Sequence, residues 1–276
     1  MRPVLLELRW GEAIIAIGSY RFFGILAAIY LLLVALLYLK FYRMSIRWIL
    51  VSSLVVAGAF LLGARGLHSL MNLSETLNNP ASIFTLQLKN FTLFGGLALS
   101  FLAWRLLAGR AGLPFWKLTD RFVFHAGIGL ALMRLGCFLN GCCYGRITDM
   151  PWGISFPRGG LAHLNQVTAN PLAILRPVQP VHPTQLYEMG AALLASLMAW
   201  KIMQGRTGRP ERAGRPGLAT AVFGLVLSGG RLIIYFFRNL PADNAASLMR
   251  GPGIYGAAML VFASWIVVSL REVTDK

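Results

Sequence analysis

Long runs of apolar residues recur along the whole chain, separated by short polar or glycine- and proline-rich stretches. An α-helix needs about 20 mostly apolar residues to cross the hydrocarbon core of a bilayer. Seven runs come close to that length: 22–39, 49–67, 91–108, 122–139, 185–203, 217–237 and 252–270. The pattern predicts an all-α polytopic membrane protein with about seven transmembrane helices, in a single transmembrane domain over residues 1–276.

The N-terminal segment 3–19 does not fit this pattern, because Glu7, Arg9 and Glu12 interrupt its apolar residues. It also lacks the compact apolar run and small-residue cleavage site of a signal peptide. We expect a short helix that lies in the membrane interface.

Two segments between the apolar runs are too rich in glycine, proline and polar residues to span a bilayer. Residues 204–217 combine glycine, proline and arginine and predict a flexible loop. Residues 140–184 contain many glycine, proline and aromatic residues and predict a small head outside the membrane.

The composition excludes an ordinary soluble domain. Hydrophobic residues make up 57% of the chain and charged residues 13%, with a mean hydropathy of +0.63, whereas a soluble domain carries about 25% charged residues. The 26 Lys and Arg exceed the 10 Asp and Glu, for a net charge of +16. We expect these basic residues to hold loops in the cytoplasm beside anionic lipids, and we expect no nucleic-acid partner.

The basic residues fall mainly between alternate apolar runs, and this asymmetry predicts the orientation. Cytoplasmic loops of membrane proteins are enriched in lysine and arginine. One set of loops and the C-terminal tail contain Lys40, Arg43, Arg47, Arg105, Arg110, Lys117, Arg121, Lys201, Arg206, Arg209, Arg212, Arg215, Arg271 and Lys276. We therefore expect the N-terminus outside, the head on the periplasmic face, and both the 204–217 loop and the C-terminus in the cytoplasm.

Two arginines lie inside predicted spans, where a charged side chain costs about 2.5–3.5 kcal/mol on insertion scales. Arg134 is in the fourth run and Arg231 in the sixth, and neither run contains a carboxylate. Glu188, at the start of the fifth run, is the one acidic candidate nearby. Because a planar guanidinium suits phosphate, both arginines predict anion binding. The alternative is that they snorkel to the interface, which is the reading we favour for Arg65, Arg146 and Arg238.

The fourth run ends in a glycine-rich turn, and every cysteine of the chain lies at the end of this run or in the turn. These are Cys137, Cys142 and Cys143. Around them Asn140, Gly141 and Gly145 predict a close approach of backbone N–H groups to a ligand. Three cysteines are too few for a disulfide scaffold, and a free cysteine is often only a small buried hydrophobe. No histidine has tight ligand spacing with them, so no metal site is expected.

A second polar segment precedes the fifth run, as His182-Pro-Thr-Gln-Leu-Tyr-Glu188. A proline suits the first turn of a helix, which would place Gln185, Tyr187 and Glu188 at the mouth of the bundle. His182 is the best general-base candidate by residue type. The alternatives are a structural cap for His182 and an interfacial anchor for Tyr187.

These segments resemble motifs of the bacterial prolipoprotein diacylglyceryl transferase family. Four elements are similar in order to family motifs: Met133–Arg146, Pro151–Pro157, His182–Glu188 and Ser228–Arg238. Weaker matches lie in the first three runs, at Arg21–Gly24, Gly63–Arg65 and Phe94–Gly96. The resemblance thus extends along nearly the whole chain.

The chain departs from the family pattern at five positions. The family's tyrosine, histidine, asparagine and two glutamates are replaced, in that order, by Phe23, Phe94, Cys137, Cys142 and Tyr235. Both span arginines, Asn140, the glycines and the His182–Glu188 element are kept. The resemblance therefore covers the anion-binding residues better than the groups linked with catalysis.

The resemblance implies a multi-pass transferase of the bacterial inner membrane. Such an enzyme moves a diacylglyceryl group from phosphatidylglycerol to the lipobox cysteine thiol of a preprolipoprotein signal peptide, without a cofactor. We expect the catalytic residues to be Arg231, His182, Tyr187 and Cys142, the last in place of a family glutamate. The implied substrate-binding residues are Arg134, Asn140, Gly141, Gly145 and Gln185. We expect a monomer.

Two other functions stay open at this point. One is transfer of a phosphatidylglycerol-derived group to a different acceptor, with Cys142 or Cys143 as nucleophile. The other is a lipid-binding or thiol-redox membrane protein without enzyme activity, in which Cys137 pairs with Cys142 or Cys143 in a disulfide.

Overall fold

A computed structural model describes residues 4–10, 13–78, 93–207, 215–238 and 245–271. Helices account for most of this part of the chain, as the apolar runs predict. The helices are α1 Ser19–Phe41, α2 Ile46–Met71, α3 Leu73–Asn78, α4 Leu93–Arg110, α5 Phe115–Asn140, α6 Leu161–Ala169, α7 Thr184–Thr207, α8 Leu218–Tyr235 and α9 Ala245–Arg271. A short 3-10 helix, Pro171–Leu175, follows α6.

The N-terminal segment is a two-stranded antiparallel hairpin, so the interfacial helix expected there is wrong. Strand β1 covers Val4–Trp10 and pairs with β2, Ala13–Gly18. Leu6, Leu8 and Trp10 alternate with charged residues between them. That period of two is typical of a strand, whereas an amphipathic helix repeats every three to four residues.

Each of the seven apolar runs overlaps a long helix, namely α1, α2, α4, α5, α7, α8 or α9. Within the described residues, all of these except α4 are long and apolar enough to cross a membrane. Large apolar side chains on them are widely exposed, for example Leu54 at 72% and Leu62 at 70%. Such surfaces suit lipid and not water. The chain is a multi-pass membrane protein, while a seventh span at α4 stays a prediction.

The described chain divides into two compact units, and the single domain expected from the sequence stays a prediction. Residues 35–118 form the smaller unit. In it, α2 and α4 cross at Gly63 and Gly95, where a Cβ on either glycine would collide with the backbone carbonyl of the other. Small residues of this kind let membrane helices approach closely.

The larger unit contains residues up to 34 and from 119 onward, and it holds every candidate catalytic residue. Its core is built where α5, α7 and α8 meet, from Val123, Ala195, Ala199, Ala219 and Phe223. Three of these five residues are alanines, whose small side chains let the helices pack closely. The same packing brings the polar side chains of the three helices close together.

The predicted head segment, 140–184, contains α6 and the 3-10 helix. Its small apolar core consists of Phe156, Ala162 and Val181. Val181 pairs with both Ile147 and Ile154 through isolated β-bridges. These bridges fix the chain that leaves α5 next to the chain that enters α7, so the two motif segments meet.

The N-terminus of α8 is capped by a buried carboxylate from α5. Asp120 is 2% exposed, and its oxygens accept hydrogen bonds from Gly217 N at 2.8 Å, Thr220 N at 2.9 Å and the Thr220 hydroxyl at 2.7 Å. A negative charge is stabilised there by the helix dipole and by N–H groups that have no partner within the helix. The cap ties α8 to α5.

We expect Asp120→Asn to lower thermal stability, because an amide removes the charge and replaces one acceptor oxygen with a donor. The loss should be about 1–3 kcal/mol, the usual effect of leaving a buried polar group without its partner. Melting in detergent, followed by tryptophan fluorescence, measures it. Asp149→Asn, at an exposed position, is the matched control. Equal melting temperatures for the two variants would contradict the cap.

Candidate active site

The centre of the site is the carboxylate of Glu188, in the first turns of α7. Glu188 is 6% exposed and contacts three guanidinium groups. Arg134 Nε pairs with Oε2 and Arg231 Nη1 with Oε1, while Arg238 Nη1 lies 3.5 Å from Oε1. The two span arginines, from α5 and α8, thus share one carboxylate on a third helix, α7.

Arg238 corrects an expectation from the sequence. Its place near the end of a predicted span favoured a side chain that reaches to the membrane interface. The structure instead directs it to Glu188, and its side chain is 32% exposed. Sequence reasoning missed its part in the site, although the Phe-Phe-Arg end of the Ser228–Arg238 motif could have signalled it.

The cluster carries an excess of positive charge. Three guanidinium groups around one carboxylate leave two positive charges without a negative partner inside the cluster. Arg134 and Arg231 are largely shielded, with side-chain exposures of 14% and 19%. Charges act strongly on one another where water is scarce. An anion with several oxygens, such as a phosphate, is the ligand that this arrangement suits.

The cysteine turn follows directly from the end of α5. Gly141 has a left-handed φ of +72°, its N–H donates to Phe138 O, and Cys142 N–H donates to Cys137 O. This pair of bonds is the Schellman ending of a helix, which usually requires glycine at the left-handed position. Cys143 is also left-handed, with φ +62°. These two residues, on either side of Cys142, fold the chain back over the end of α5.

This reversal brings the three sulfur atoms together, all within 4.8 Å of one another. The thiols are free; Cys137 is buried, Cys142 is half-buried and Cys143 is exposed. Arg134 Nη1 lies 3.9 Å from Cys137 Sγ, which joins the cysteine cluster to the arginine cluster. The pKa of the Cys143 thiol is lowered by hydrogen bonds with the Cys137 and Cys142 thiols, and further by the charges of Arg134 and Arg238.

Residues at the start of α7 hold the cysteine turn from the other side. The Gln185 amide nitrogen donates to Cys142 O and the Thr184 hydroxyl donates to Cys143 O, both at 2.6 Å. Gln185 is fully buried. Through this hydrogen bond, Gln185 positions the turn. Its contact with a substrate stays a prediction. Asn140, the last residue of α5, interacts through its side chain with Cys142.

His182 lies just before α7 and contacts Tyr187. Its Nδ1 is 3.1 Å from the Tyr187 hydroxyl, and its ring meets the Phe237 ring edge-on at 5.0 Å between centroids. Phe237 adjoins Arg238, so His182 stands next to the arginine cluster along the chain that leaves α8. When one ring nitrogen of a histidine is hydrogen-bonded to a hydroxyl, the ring is held in place and its other nitrogen is available for proton transfer.

Gly145 is required by a close approach of three chain segments. A Cβ there would lie 2.8 Å from both His182 Cβ and Thr184 Cγ2, and would collide with Phe237 O. Gly145 N–H donates to His182 O at 2.8 Å, and the residue bridges to Arg238. Its observed part is therefore to place Arg238 and His182 side by side, and its direct contact with substrate stays a prediction.

Two of the positions where the chain departs from the family pattern, Phe23 and Tyr235, pack against glycine or aromatic residues. Phe23 packs on α5 at Gly136, where a Cβ would lie 2.7 Å from Phe23 Cβ. Tyr235 is buried, with its ring 6.4 Å from that of Tyr255. The Arg231 guanidinium lies 6.0 Å from the centroid of the Tyr255 ring, which sequence reasoning did not single out. The Phe94 side chain lies outside the described residues.

Known proteins are similar to this chain over most of its length. The sequence profile described as "Prolipoprotein diacylglyceryl transferase" matches residues 7–270. A protein of Geobacter sulfurreducens is 35% identical over 227 residues, which cover 78% of this chain and 76% of the relative. One of Rhizobium meliloti is 31% identical over 190 residues, covering 68% of this chain and 60% of the relative.

A third relative, from Agrobacterium fabrum, is 29% identical over 224 residues, or 79% of this chain and 72% of the relative. All three relatives are named phosphatidylglycerol–prolipoprotein diacylglyceryl transferase. The chain spans less than two thirds of the Rhizobium relative's length. The profile match over nearly the whole sequence shows that the chain belongs to the prolipoprotein diacylglyceryl transferase family.

Proposed function

We propose that this protein transfers a diacylglyceryl group from phosphatidylglycerol to the lipobox cysteine thiol of a preprolipoprotein. Three arginines around the buried Glu188 carboxylate, with an excess of two positive charges, are the observation that carries the proposal. They lie on α5, on α8 and just beyond α8 of a multi-pass membrane protein, where they would bind an anionic lipid headgroup. The relatives bear the name of this activity.

The main requirement of the reaction is to stabilise the negative charge that develops on the leaving phosphate. The thiolate sulfur of the acceptor attacks the glyceryl carbon that carries the phosphate, a sulfur–carbon bond forms and the carbon–oxygen bond breaks. The bonding electrons pass to the phosphate oxygen, and glycerol phosphate leaves. Arg134, Arg231 and Arg238 would hold the phosphate and stabilise this added charge, since preorganised donors act strongly where water is excluded.

The acceptor thiol must lose its proton before it attacks, because the thiolate is the nucleophile. His182 is the base in this proposal, oriented by the Tyr187 hydroxyl at 3.1 Å. The proton would pass from the thiol to the imidazole nitrogen that does not face Tyr187. The His182 ring contacts Phe237, the residue directly before Arg238. The proposed base therefore lies beside the segment that carries one of the phosphate-binding arginines.

The proposal includes an orientation in the bacterial inner membrane. Seven helices would cross it, with α4 as the seventh, the N-terminus and the site on the periplasmic side, and the C-terminus in the cytoplasm. The chain would act as a monomer. In this orientation the site would bind both the lipid and the secreted acceptor on the periplasmic face of the membrane.

Reporter fusions test the orientation. We expect fusions in the 204–217 loop and at the C-terminus to report cytoplasm, and fusions within 150–180 to report periplasm, because the basic loops stay inside. A periplasmic report from the 204–217 loop would show that the assignment of spans is wrong.

A strain depleted of its own diacylglyceryl transferase tests the function. We expect the wild-type gene to restore growth and lipid attachment to a reporter lipoprotein, measured by its shift in gel mobility. Arg134→Ala and Arg231→Ala should each lower transfer by about 100-fold or more, the usual effect of removing a donor that stabilises developing charge. Arg134→Lys should stay impaired, because a point charge does not reproduce the planar fork of a guanidinium.

Arg47→Ala, at an exposed position near the start of α2, is the control and should transfer at the wild-type rate. Immunoblots of membranes check that all variants insert equally. Full transfer by either alanine variant would favour snorkelling arginines and contradict the phosphate site.

Cys142 supplies a further test, since it replaces a glutamate of the family pattern. Its thiol is half-buried and lies 3.6 Å from Cys137 O. If the sulfur takes part in the chemistry, Cys142→Ser should lose transfer at nearly constant volume, and Cys142→Glu should recover part of it by restoring the carboxylate. The same complementation assay measures both variants.

The competing expectation is that Cys142 only packs the turn. Serine would then be tolerated, and glutamate would be the damaging change because an added carboxylate must lose its water. An active serine variant beside an inactive glutamate variant would exclude a chemical role for the sulfur.

A further inference from the structure

We propose that Cys137, Cys142 and Cys143 form a binding site for a thiophilic metal cation, of the Zn²⁺ or Cu⁺ class, with three thiolate ligands. No metal site is expected from the sequence, because the cysteines have no histidine at ligand spacing. The fold changes this by bringing the sulfurs of one turn together without any histidine. All three lie within 4.8 Å of one another.

The sulfur positions are close to those of a three-coordinate thiolate site. With metal–sulfur bonds of about 2.3 Å, three sulfurs around one ion stand about 4.0 Å apart. The observed limit of 4.8 Å therefore needs only a small contraction. A disulfide would instead join two of the sulfurs at an S–S distance of about 2.05 Å and leave the third as an unpaired thiol.

The donor set selects the kind of cation. Sulfur donors favour soft or borderline ions such as Cu⁺ and Zn²⁺ over hard ions such as Mg²⁺ and Ca²⁺. Among the residues that the structure describes, the cluster is composed of thiols only. Three ligands leave a coordination position for water or another ligand.

The surrounding charge suits a bound complex. Three thiolates around Zn²⁺ or Cu⁺ carry one or two negative charges in excess. The Arg134 guanidinium, 3.9 Å from Cys137 Sγ, is placed to offset them. Without a cation, three thiolates so close together would repel one another, whereas a bound cation lets all three ionise.

The turn is already shaped for this arrangement before any ion binds. The left-handed backbone at Gly141 and Cys143 folds the chain back over α5. Hydrogen bonds from Gln185 and Thr184 to the carbonyls of Cys142 and Cys143 then fix it. Supports of this kind, behind the ligands themselves, usually contribute strongly to metal affinity.

Metal binding is measured without the proposed transfer reaction. The full chain, purified in detergent and kept reduced, is titrated with Co²⁺ as a spectroscopic probe. We expect one Co²⁺ per chain, with the near-ultraviolet sulfur-to-cobalt absorption that thiolate coordination produces, and displacement by Zn²⁺. Zn²⁺ should also raise the melting temperature of the chain.

Substitution of each ligand in turn identifies the site. Cys137→Ser, Cys142→Ser and Cys143→Ser should each weaken Co²⁺ binding by at least about tenfold, since even the loss of a supporting residue costs 10–100-fold. Tyr144→Phe is the matched control, because it changes the next residue in the turn without removing a sulfur. Its cobalt spectrum should match that of the wild type.

The thiols in freshly isolated membranes give an independent readout that does not depend on the variants folding. We expect alkylation to be slow until a chelator is added. Thiols that react only after a reductant would show a disulfide and overturn the proposal. It is also overturned by reduced chain that gives no cobalt absorption, or by absorption and zinc stabilisation that persist in the serine variants.

Discussion

The carboxylate of Glu188 is the group on which the charged part of this protein depends. It meets Arg134 from α5, Arg231 from α8 and Arg238 just beyond α8. Removing one partner of a buried ion pair typically costs about 3–5 kcal/mol, because the remaining charge is left without compensation. One acidic side chain thus partly compensates three arginines in a membrane protein. Two positive charges remain in excess and can bind an anion.

Small residues make that meeting possible. Gly127 of α5 lies against Ala192 and Ser196 of α7, and Gly230 of α8 lies against Ala191 of α7. These contacts bring the three helix backbones close enough for their polar side chains to touch across the interface. Packing in the apolar part of the unit therefore sets the geometry of the charged part.

The cysteine turn is fixed from both sides by backbone geometry and by hydrogen bonds. The left-handed Gly141 and the bonds from Thr184 and Gln185 shape a turn that faces the arginine cluster. The sequence resemblance implies an asparagine and a glutamate at positions 137 and 142 of the family pattern. Here thiols occupy both, and a third thiol at Cys143 adjoins them, so the turn gains soft donors where it loses a carboxylate.

The sequence by itself determined the membrane class, all seven long helices and the motif segments, because apolar length, charge distribution and ordered motifs are properties of the chain alone. It did not predict the N-terminal hairpin. The charged residues there suggest an amphipathic helix, although they alternate with apolar residues at a period of two. Only the tertiary structure decided that Glu188 is shared by three arginines, that Arg238 belongs to the site and that three sulfurs converge. These depend on distances between residues as far apart as Arg134 and Arg238, and helix packing and backbone reversal set such distances, neither of which a linear pattern encodes.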